Sequence, residues 1–268
     1  MSTPAELYVS GIKKKFANYF AAWLPGEKLR LGDVGVIENN LFTRITSLEN
    51  IGINFTERAD NASTPIDYIS ESGVSIFFKT AGEVNPSLPN IPEAKAGIGV
   101  EFSQKGAFIF QAAESYQPSI ENIFQLEQDI ISAYENGRWR SEWVVITRLV
   151  QTPIASIIVS NSSQSKVEFS VEGDIPLSSF DLGNASLNFG LKSQTGDVIK
   201  FIGGENLTPL FQLARIKNRW LGLGDLYLEV KSIGMIDNSM AAITPERVKN
   251  DPDIAKSLYL DLVHDQKV

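Results

Sequence analysis

The chain has 268 residues, of which 43% are hydrophobic and 21% are charged, and its formal net charge is −8. This composition is typical of a folded globular protein and excludes the disordered and collagen-like classes, and the negative charge argues against nucleic acid as a partner. The sequence contains no cysteine and only one histidine, His264, so disulfides, thiolate zinc sites and Ser-His-Asp or Cys-His mechanisms have no support. We therefore expect no enzyme, no cofactor and no metal site.

The first residues, MSTPAELYVSGIKKK, contain no apolar stretch followed by a cleavage site, and no run of 18 apolar residues occurs in the sequence. A signal peptide and a membrane-spanning helix would each require such a stretch. The sequence therefore predicts a cytoplasmic protein.

Residues 3–24 are predicted to form an amphipathic helix. Thr3 can cap it, Pro4 suits its first position, and Glu6 completes a capping box. Its apolar stripe has helical spacing and consists of Tyr8, Ile12, Phe16, Tyr19, Phe20 and Trp23. Its basic patch consists of Lys13, Lys14 and Lys15. Such a helix either packs its stripe into a core or meets anionic lipid headgroups with its lysines.

The middle of the chain contains further strand and helix signals. DVGVIENNLFTRI predicts a hairpin with its turn at Glu38-Asn39-Asn40. A second helix is predicted at 119–136, capped by Ser119 and closed by Gly137. The apolar, β-branched run WRSEWVVITRLVQT indicates a central strand. We expect a short helix at 207–213 and a last strand in GDLYLEVKSIGMI.

Two regions, 65–113 and 154–202, alternate apolar and polar residues over lengths that could cross a bilayer as strands. Each is predicted to hold two strands joined by a loop. The apolar positions are Val74, Ile76, Phe78, Val100, Phe102, Phe108 and Phe110 in the first region and Val167, Phe169, Leu187 and Phe189 in the second. A half-buried sheet of a soluble protein also alternates. However, serine, glycine, asparagine and alanine dominate the polar faces, which specifies register and burial only weakly.

The last residues, 237–268, differ from the rest of the chain. DNSMAAI, at 237–243, is small and uncharged in its middle, and we expect it to be exposed to proteolysis. Thr244-Pro245 and Asp251-Pro252 are helix-start signals, and a helix beyond them would present Ile254, Leu258 and Leu262 on one side. We therefore predict an α+β domain at 1–236, a twisted, mostly antiparallel sheet with packed helices, followed by a short helical tail that covers an apolar patch.

This order of elements resembles the pore-forming module of the gasdermin family, in its short bacterial form. The likeness covers about residues 4–235 and is closest in VEFSQKGAFIFQAAES, in SIENIFQLEQDIISAYENGRW and in SEWVVITRLVQTPIASIIVS. The chain lacks the cysteine near the N-terminus that bacterial members often acylate, so lipidation cannot assist it.

The resemblance implies a gasdermin-like fold and an autoinhibited cytoplasmic monomer. A caspase-like or trypsin-like protease would remove 237–268, and the freed modules would self-assemble in the inner membrane as a β-barrel pore that kills the cell, commonly as anti-phage defence. By this analogy 65–113 and 154–202 are the inserting hairpins, and Lys13, Lys14 and Lys15 contact lipid headgroups.

Two other functions remain open at this point. One is a non-catalytic module whose sheet face binds a ligand or peptide. The other, less supported, is a hydrolase that uses a pair of carboxylates, although the sequence marks no particular pair.

Overall fold

The computed structural model describes residues 3–16, 18–23, 27–70, 72–79, 97–112, 114–171, 189–202, 206–218, 244–250 and 258–262. In these residues, antiparallel strands form three sheets and few helices pack on them, so the α+β class is confirmed. The strands are, in chain order, β1 (Phe20–Ala21), β2 (Asp33–Glu38), β3 (Leu41–Ser47), β4 (Glu57–Arg58), β5 (Ile66–Ile69), β6 (Val74–Lys79), β7 (Gly97–Phe102), β8 (Phe108–Ala112), β9 (Ser119–Ile120), β10 (Val144–Thr152), β11 (Ser156–Ser160), β12 (Ser165–Val171), β13 (Phe189–Thr195), β14 (Val198–Ile202), β15 (Leu207–Asn218) and β16 (Leu258–Leu262).

The described helices are α1 (Pro4–Lys15), a 3-10 turn (Glu49–Ile51), α2 (Ile123–Glu135) and α3 (Pro245–Asn250). The capping box predicted for α1 is confirmed, because the Thr3 hydroxyl accepts from the Glu6 amide and the Glu6 carboxylate accepts from the Thr3 amide. None of the described helices is both long and apolar enough to cross a bilayer.

The largest sheet, which we call the body sheet, has the order β1-β15-β10-β2-β3, with β16 added to β15 and with β9 linking β10 to β4. The predicted central strand is β10, which is buried along most of its length. Val145 belongs to the apolar core that contains α2, whereas Val144 and Ile146 belong to a second core on the other face. The predicted hairpin is also confirmed as β2 and β3, since Asn39 and Asn40 turn the chain with φ angles of 51° and 63°.

The other two sheets have four strands each. The proximal sheet has the order β14-β11-β8-β5, and the distal sheet has the order β13-β12-β7-β6. Together they contain both of the alternating regions predicted from the sequence. A single sheet was expected, and the difference arises because each long strand of these regions is broken once.

Two predicted helix boundaries are wrong. The first helix ends at Lys15 instead of continuing to residue 24, because Phe20 pairs with Phe211 and is drawn into the body sheet. The second begins at Ile123 instead of Ser119, because Ser119 pairs with Arg148 of the central strand. In both places a long-range strand pairing overrides the local helical pattern.

The helix predicted at 207–213 is a strand. Leu207 to Asn218 form β15, which is paired with β10 on one side and with β1 and β16 on the other. The run is apolar on both faces, and a short continuous apolar run has no periodicity that separates a helix from a buried strand. The predicted strand GDLYLEVKSIGMI lies outside the described residues.

The helical tail is also corrected. α3 follows the first helix-start signal, but Leu258 and Leu262 lie on a strand, β16, which pairs with Asn218 and Ala214 of β15. Edge pairing with β15 satisfies the backbone groups of this segment, and a helix would leave that edge open. Ile254 lies outside the described residues.

Candidate functional site

The proximal and distal sheets are built from the same four stretches of chain. Each stretch runs through one strand of each sheet, and the breaks between the two strands fall at 70–73, 103–107, 161–164 and 196–197. The strands keep the same neighbours on both sides of the breaks. The two sheets are therefore one four-stranded ribbon that is bent at a single level, and we call it the bent ribbon.

The two central stretches of the bent ribbon keep one register through the break. Phe102 pairs with Ser165 on the distal side, and Phe108 pairs with Val159 on the proximal side. The two pairs are six positions apart on each strand. Straightening the two central stretches would therefore need no change of pairing partners.

The first outer stretch needs only a small adjustment. Val74 pairs with Phe102, and Ile69 pairs with Ile109, so the two pairs are five positions apart on one strand and seven positions apart on the other. A register change of two residues leaves every side chain on its original face, because the side-chain period of a strand is two. The faces of these three stretches would therefore be kept on straightening.

The apolar residues also keep one phase through the breaks. Side chains two residues apart share a face of an extended strand. Three stretches have described side chains on both sides of the break, and each of them contains a set of apolar residues that are an even number of positions apart. They are Ile66, Tyr68, Val74 and Ile76 in the first stretch, Ile98, Val100, Phe102, Phe108, Phe110 and Ala112 in the second, and Ile157, Val159, Val167 and Phe169 in the third. In a straight ribbon they would form one continuous apolar face.

In the bent ribbon this face is divided between two cores. The proximal part packs against α1, where the rings of Tyr8 and Phe108 meet edge to face with centroids 5.2 Å apart. The distal part, which includes Val100 and Val167, packs with Ile109 and Ile158 from the opposite face of the proximal sheet. The proximal sheet is therefore covered on both faces.

The contact between α1 and the ribbon contains a buried hydroxyl group, that of Tyr8. Tyr8 is fully buried, and this burial raises the pKa of its hydroxyl. Its hydroxyl has no hydrogen-bond partner among the described residues. A buried polar group without a partner costs about 1–3 kcal/mol, which weakens the hold of α1 on the ribbon.

The outer face of the distal sheet is polar. The ammonium of Lys166 lies 3.1 Å from the Glu101 carboxylate and 3.2 Å from the Glu168 carboxylate. Burial alone would lower the pKa of Lys166, but hydrogen bonds to the two carboxylates raise it. The ammonium also lies 4.6 Å from the centroid of the Phe77 ring, which covers the backbone of Gly99. Among the described side chains, the Lys166 ion-pair cluster and the Phe77 ring therefore cover part of this face.

A pocket of about 270 Å³ opens where α1 meets the breaks of the ribbon. Lys14 and Lys15 from α1 and Lys105 from a break line it, together with Tyr68 and Phe108. Among the residues that the structure describes, no aspartate or glutamate lines it. We call it the basic pocket, and it suits an anionic group.

Lys13 is placed differently from its two neighbours. Its ammonium donates a hydrogen bond to the Asn40 side chain at 2.9 Å and lies 4.9 Å from the centroid of the Phe20 ring. It therefore faces the body, and the structure brings Lys105 together with Lys14 and Lys15 instead. The sequence places Lys105 ninety residues away, so only the fold shows this grouping.

The described part of the tail lies on the body and not on the ribbon. Val248 of α3 and Leu258 of β16 are buried in the core around α2. The Glu127 carboxylate of α2 accepts a hydrogen bond from the Leu260 amide at 2.8 Å. The tail therefore covers the edge of β15 and the apolar side of α2.

Some of the predicted site residues have no described side chain. Phe78 and Phe189 lie on strands β6 and β13, but their side chains lie outside the described structure. Leu187 lies outside the described residues altogether.

No protein-family model matches this chain, and no curated protein sequence matches it. Among solved structures, it is similar to the gasdermin A3 membrane pore determined by cryo-electron microscopy. The TM-score is 0.33 at 8% sequence identity, and the match covers 81% of this chain and 91% of that chain. This similarity is too low to assign a fold family or a function, so any function has to follow from the ribbon itself.

Proposed function

We propose that this protein forms pores in membranes and is held inactive in the bent form of its ribbon. On activation the ribbon straightens, separates from α1 and places its apolar face in lipid. The continuous phase of the apolar residues through the breaks is the observation that carries this proposal.

The dimensions support insertion. The stretch Gly97–Ala112 would extend to about 50 Å as one strand. The hydrocarbon core of a bilayer is about 30 Å thick, and a tilted strand crosses it in about 9–11 residues. Each stretch of the ribbon is therefore long enough to cross and to leave residues at the interface.

The opposite face, which is polar in the distal sheet and carries Ile109 and Ile158 in the proximal sheet, would then line a water-filled passage. Copies of the chain would lie side by side in the membrane so that the edge strands of one ribbon pair with those of the next, because unpaired strand edges are not tolerated in lipid. The partners in this proposal are thus membrane lipids and further copies of the same chain.

The basic pocket provides a first contact with the membrane. Lys14, Lys15 and Lys105 line one concave site, and a lysine near an anionic surface contributes about 1 kcal/mol to binding. The predicted headgroup patch of Lys13, Lys14 and Lys15 is therefore proposed in a modified form, with Lys105 in the place of Lys13.

Activation is proposed to follow removal of residues 237–268 by a caspase-like or trypsin-like protease. The described tail covers β15 and α2, so its loss would open the edge of β15 at Ala214–Asn218. An open edge strand is a template for pairing with another chain. We propose that cleavage promotes assembly in this way, and that the cytoplasmic monomer then enters the inner membrane and kills the cell, as in defence against phage.

Cleavage of the intact chain on vesicles tests this function. Residues 237–243 are replaced by the recognition sequence of a site-specific protease, and the purified chain is cut in the presence of anionic vesicles that hold a dye. We expect dye release after cutting and none before it. Retention of the dye after complete cutting would refute the proposal.

A second candidate function is favoured by the basic pocket alone. A pocket of about 270 Å³ with three lysines could hold a small anion in a non-catalytic binding module. Titration with inorganic phosphate in a calorimeter separates the two functions. Tight phosphate binding by a chain that releases no dye after cutting would favour the binding module.

A further inference from the structure

Three of the four breaks of the bent ribbon contain a glycine in the left-handed region of backbone space. These are Gly73, Gly106 and Gly196, with φ angles of 82°, 81° and 74°. Residues with a side chain rarely adopt this conformation, and an extended strand has no use for it. The bent form therefore depends on glycine at positions where a straight form would not.

A Cβ atom would also be crowded at each of these three glycines. A Cβ atom at Gly106 would lie 2.6 Å from the Cβ of Leu7 in α1, and one at Gly196 would lie 2.5 Å from the backbone oxygen of Gln164. At Gly73 a Cβ would lie 2.8 Å from the Cβ of Gln104. Substitution at Gly73 thus tests the φ angle and a contact between two breaks, whereas substitution at Gly106 tests the angle and the contact with α1.

Hydrogen bonds join the breaks to one another. The Gly106 amide donates to the Ser160 carbonyl at 2.8 Å, and the Ser103 amide donates to the Gly73 carbonyl at 2.9 Å. The breaks at 70–73 and 103–107 are therefore connected through their backbones, and the second of them is also bonded to the last residue of β11.

We propose that these glycines form a conformational latch that sets how readily the ribbon straightens. The latch favours the bent form because only glycine takes the left-handed angle without strain, and it is released when the angles become extended. Replacing one glycine by alanine raises the free energy of the bent form and leaves the straight form unaffected. This inference rests on the proposed function, since straightening is the step it controls.

The test compares Gly73→Ala, Gly106→Ala and Gly196→Ala in the full chain that carries the cleavable tail. Gly137→Ala is the matched control, because Gly137 has a φ of 69° but lies at the end of α2, where a Cβ meets nothing within 4 Å. Gly73→Asn is a second control, since asparagine tolerates the left-handed region better than alanine.

Two readouts are used. The first is hydrogen exchange of the ribbon-break amides in the uncut chain in water. The second is the rate of dye release from anionic vesicles after cutting. A residue with a side chain is disfavoured in the left-handed conformation by about 1–2 kcal/mol, which changes the equilibrium constant between the bent and straight forms about tenfold. We expect the exchange rate and the rate of dye release to rise about tenfold in Gly73→Ala and at least as much in Gly106→Ala. Both rates should rise less in Gly73→Asn. In Gly137→Ala, neither exchange at the ribbon breaks nor dye release should change.

The outcomes separate the latch from the function. If the cut parent chain releases dye but the ribbon variants do so no faster than Gly137→Ala, the latch is refuted and the pore function stands. If exchange at the breaks rises as expected but no cut chain releases dye, the latch stands and the pore function is refuted. Equal exchange at the breaks in Gly73→Ala and the parent chain would also refute the latch.

Discussion

The body sheet and the bent ribbon differ in how their apolar faces are buried. The central strand β10 is buried on both faces, between the core around α2 and a second core that contains Val144 and Ile146. The ribbon instead has one apolar face that the fold divides between two cores. Its opposite face is polar in the distal sheet and carries the buried residues Ile109 and Ile158 in the proximal sheet. β10 could not turn either face to water, whereas the ribbon already turns the outer face of its distal sheet to water.

This comparison shows that burial alone does not identify a fixed core. Ile157 and Ile158 are adjacent in β11 and both are fully buried. Ile157 lies on the continuous apolar face and packs with α1, whereas Ile158 lies on the opposite face and packs with the distal sheet. Both side chains stabilise the bent form by being buried. In the straight form Ile157 should face lipid, whereas Ile158 should face the water-filled passage.

The largest expected effect comes from this pair. Ile157→Thr and Ile158→Thr each lose buried apolar surface and should lower the free energy of unfolding in water by about 2–3 kcal/mol, as measured by urea denaturation. Only Ile157→Thr should then slow dye release from the cut chain, because it alone places a hydroxyl against lipid. Equal slowing by both variants would contradict the assignment of faces.

The next effect concerns the basic pocket. The double variant Lys14→Gln, Lys15→Gln removes two charges and should weaken binding to anionic vesicles by about 2 kcal/mol, close to thirtyfold at low salt. Vesicle sedimentation measures this binding. Lys28→Gln is the control, since Lys28 is exposed on the body and does not line the pocket. A loss as large in the control would show that only net charge matters.

A smaller effect is expected where the tail meets α2. Glu127→Gln replaces a charged acceptor by a neutral one at the Leu260 amide, and a hydrogen bond to a charged group is stronger than a neutral one by about 1 kcal/mol. Hydrogen exchange at β16 should become about fivefold faster, while exchange in β10 stays the same. Unchanged exchange at the Leu260 amide would show that this bond does not hold the tail.

The smallest effect is expected on the polar face. Lys166→Met removes the partner of Glu101 and Glu168 and should cost less than about 1 kcal/mol at pH 7, because Lys166 and Glu101 are partly exposed to solvent. The folded pKa of Lys166 is raised, so its contribution is complete below the ordinary lysine pKa and disappears as the pH rises through the raised value. Urea denaturation measures the difference in the free energy of unfolding between the parent chain and Lys166→Met. This difference should be smaller near pH 11 than at pH 7, and a difference that grows with pH would contradict the pairing.

Local patterns predicted several parts of the fold and of the candidate site. The Asn39-Asn40 turn, the capping box of Thr3 and the central strand β10 depend on nearby residues, and each was found where it was predicted. The alternation of the two regions was also visible, because a strand repeats every two residues.

Long-range pairing decided the features that the sequence did not reveal. Phe20 and Ser119 joined strands because distant partners were available to them, and β16 became a strand because β15 offered an edge. The bend of the ribbon has no local period at all. The only local sequence signal for the bend is a glycine in three of the breaks, and a glycine at such a position equally predicts an ordinary turn.

Single-site labelling along Gly97–Ala112 tests the straightening of the ribbon most directly. The chain has no cysteine, so one cysteine at a time can be introduced and labelled with a nitroxide in the cut protein on vesicles. We expect contact with lipid at Val100, Phe102, Phe108 and Phe110 and contact with water at Glu101, Lys105, Ile109 and Gln111, in one unbroken phase. Ile109 is fully buried in the bent form, so its exposure to water would mark the straight ribbon, and a change of phase at 103–107 would contradict it.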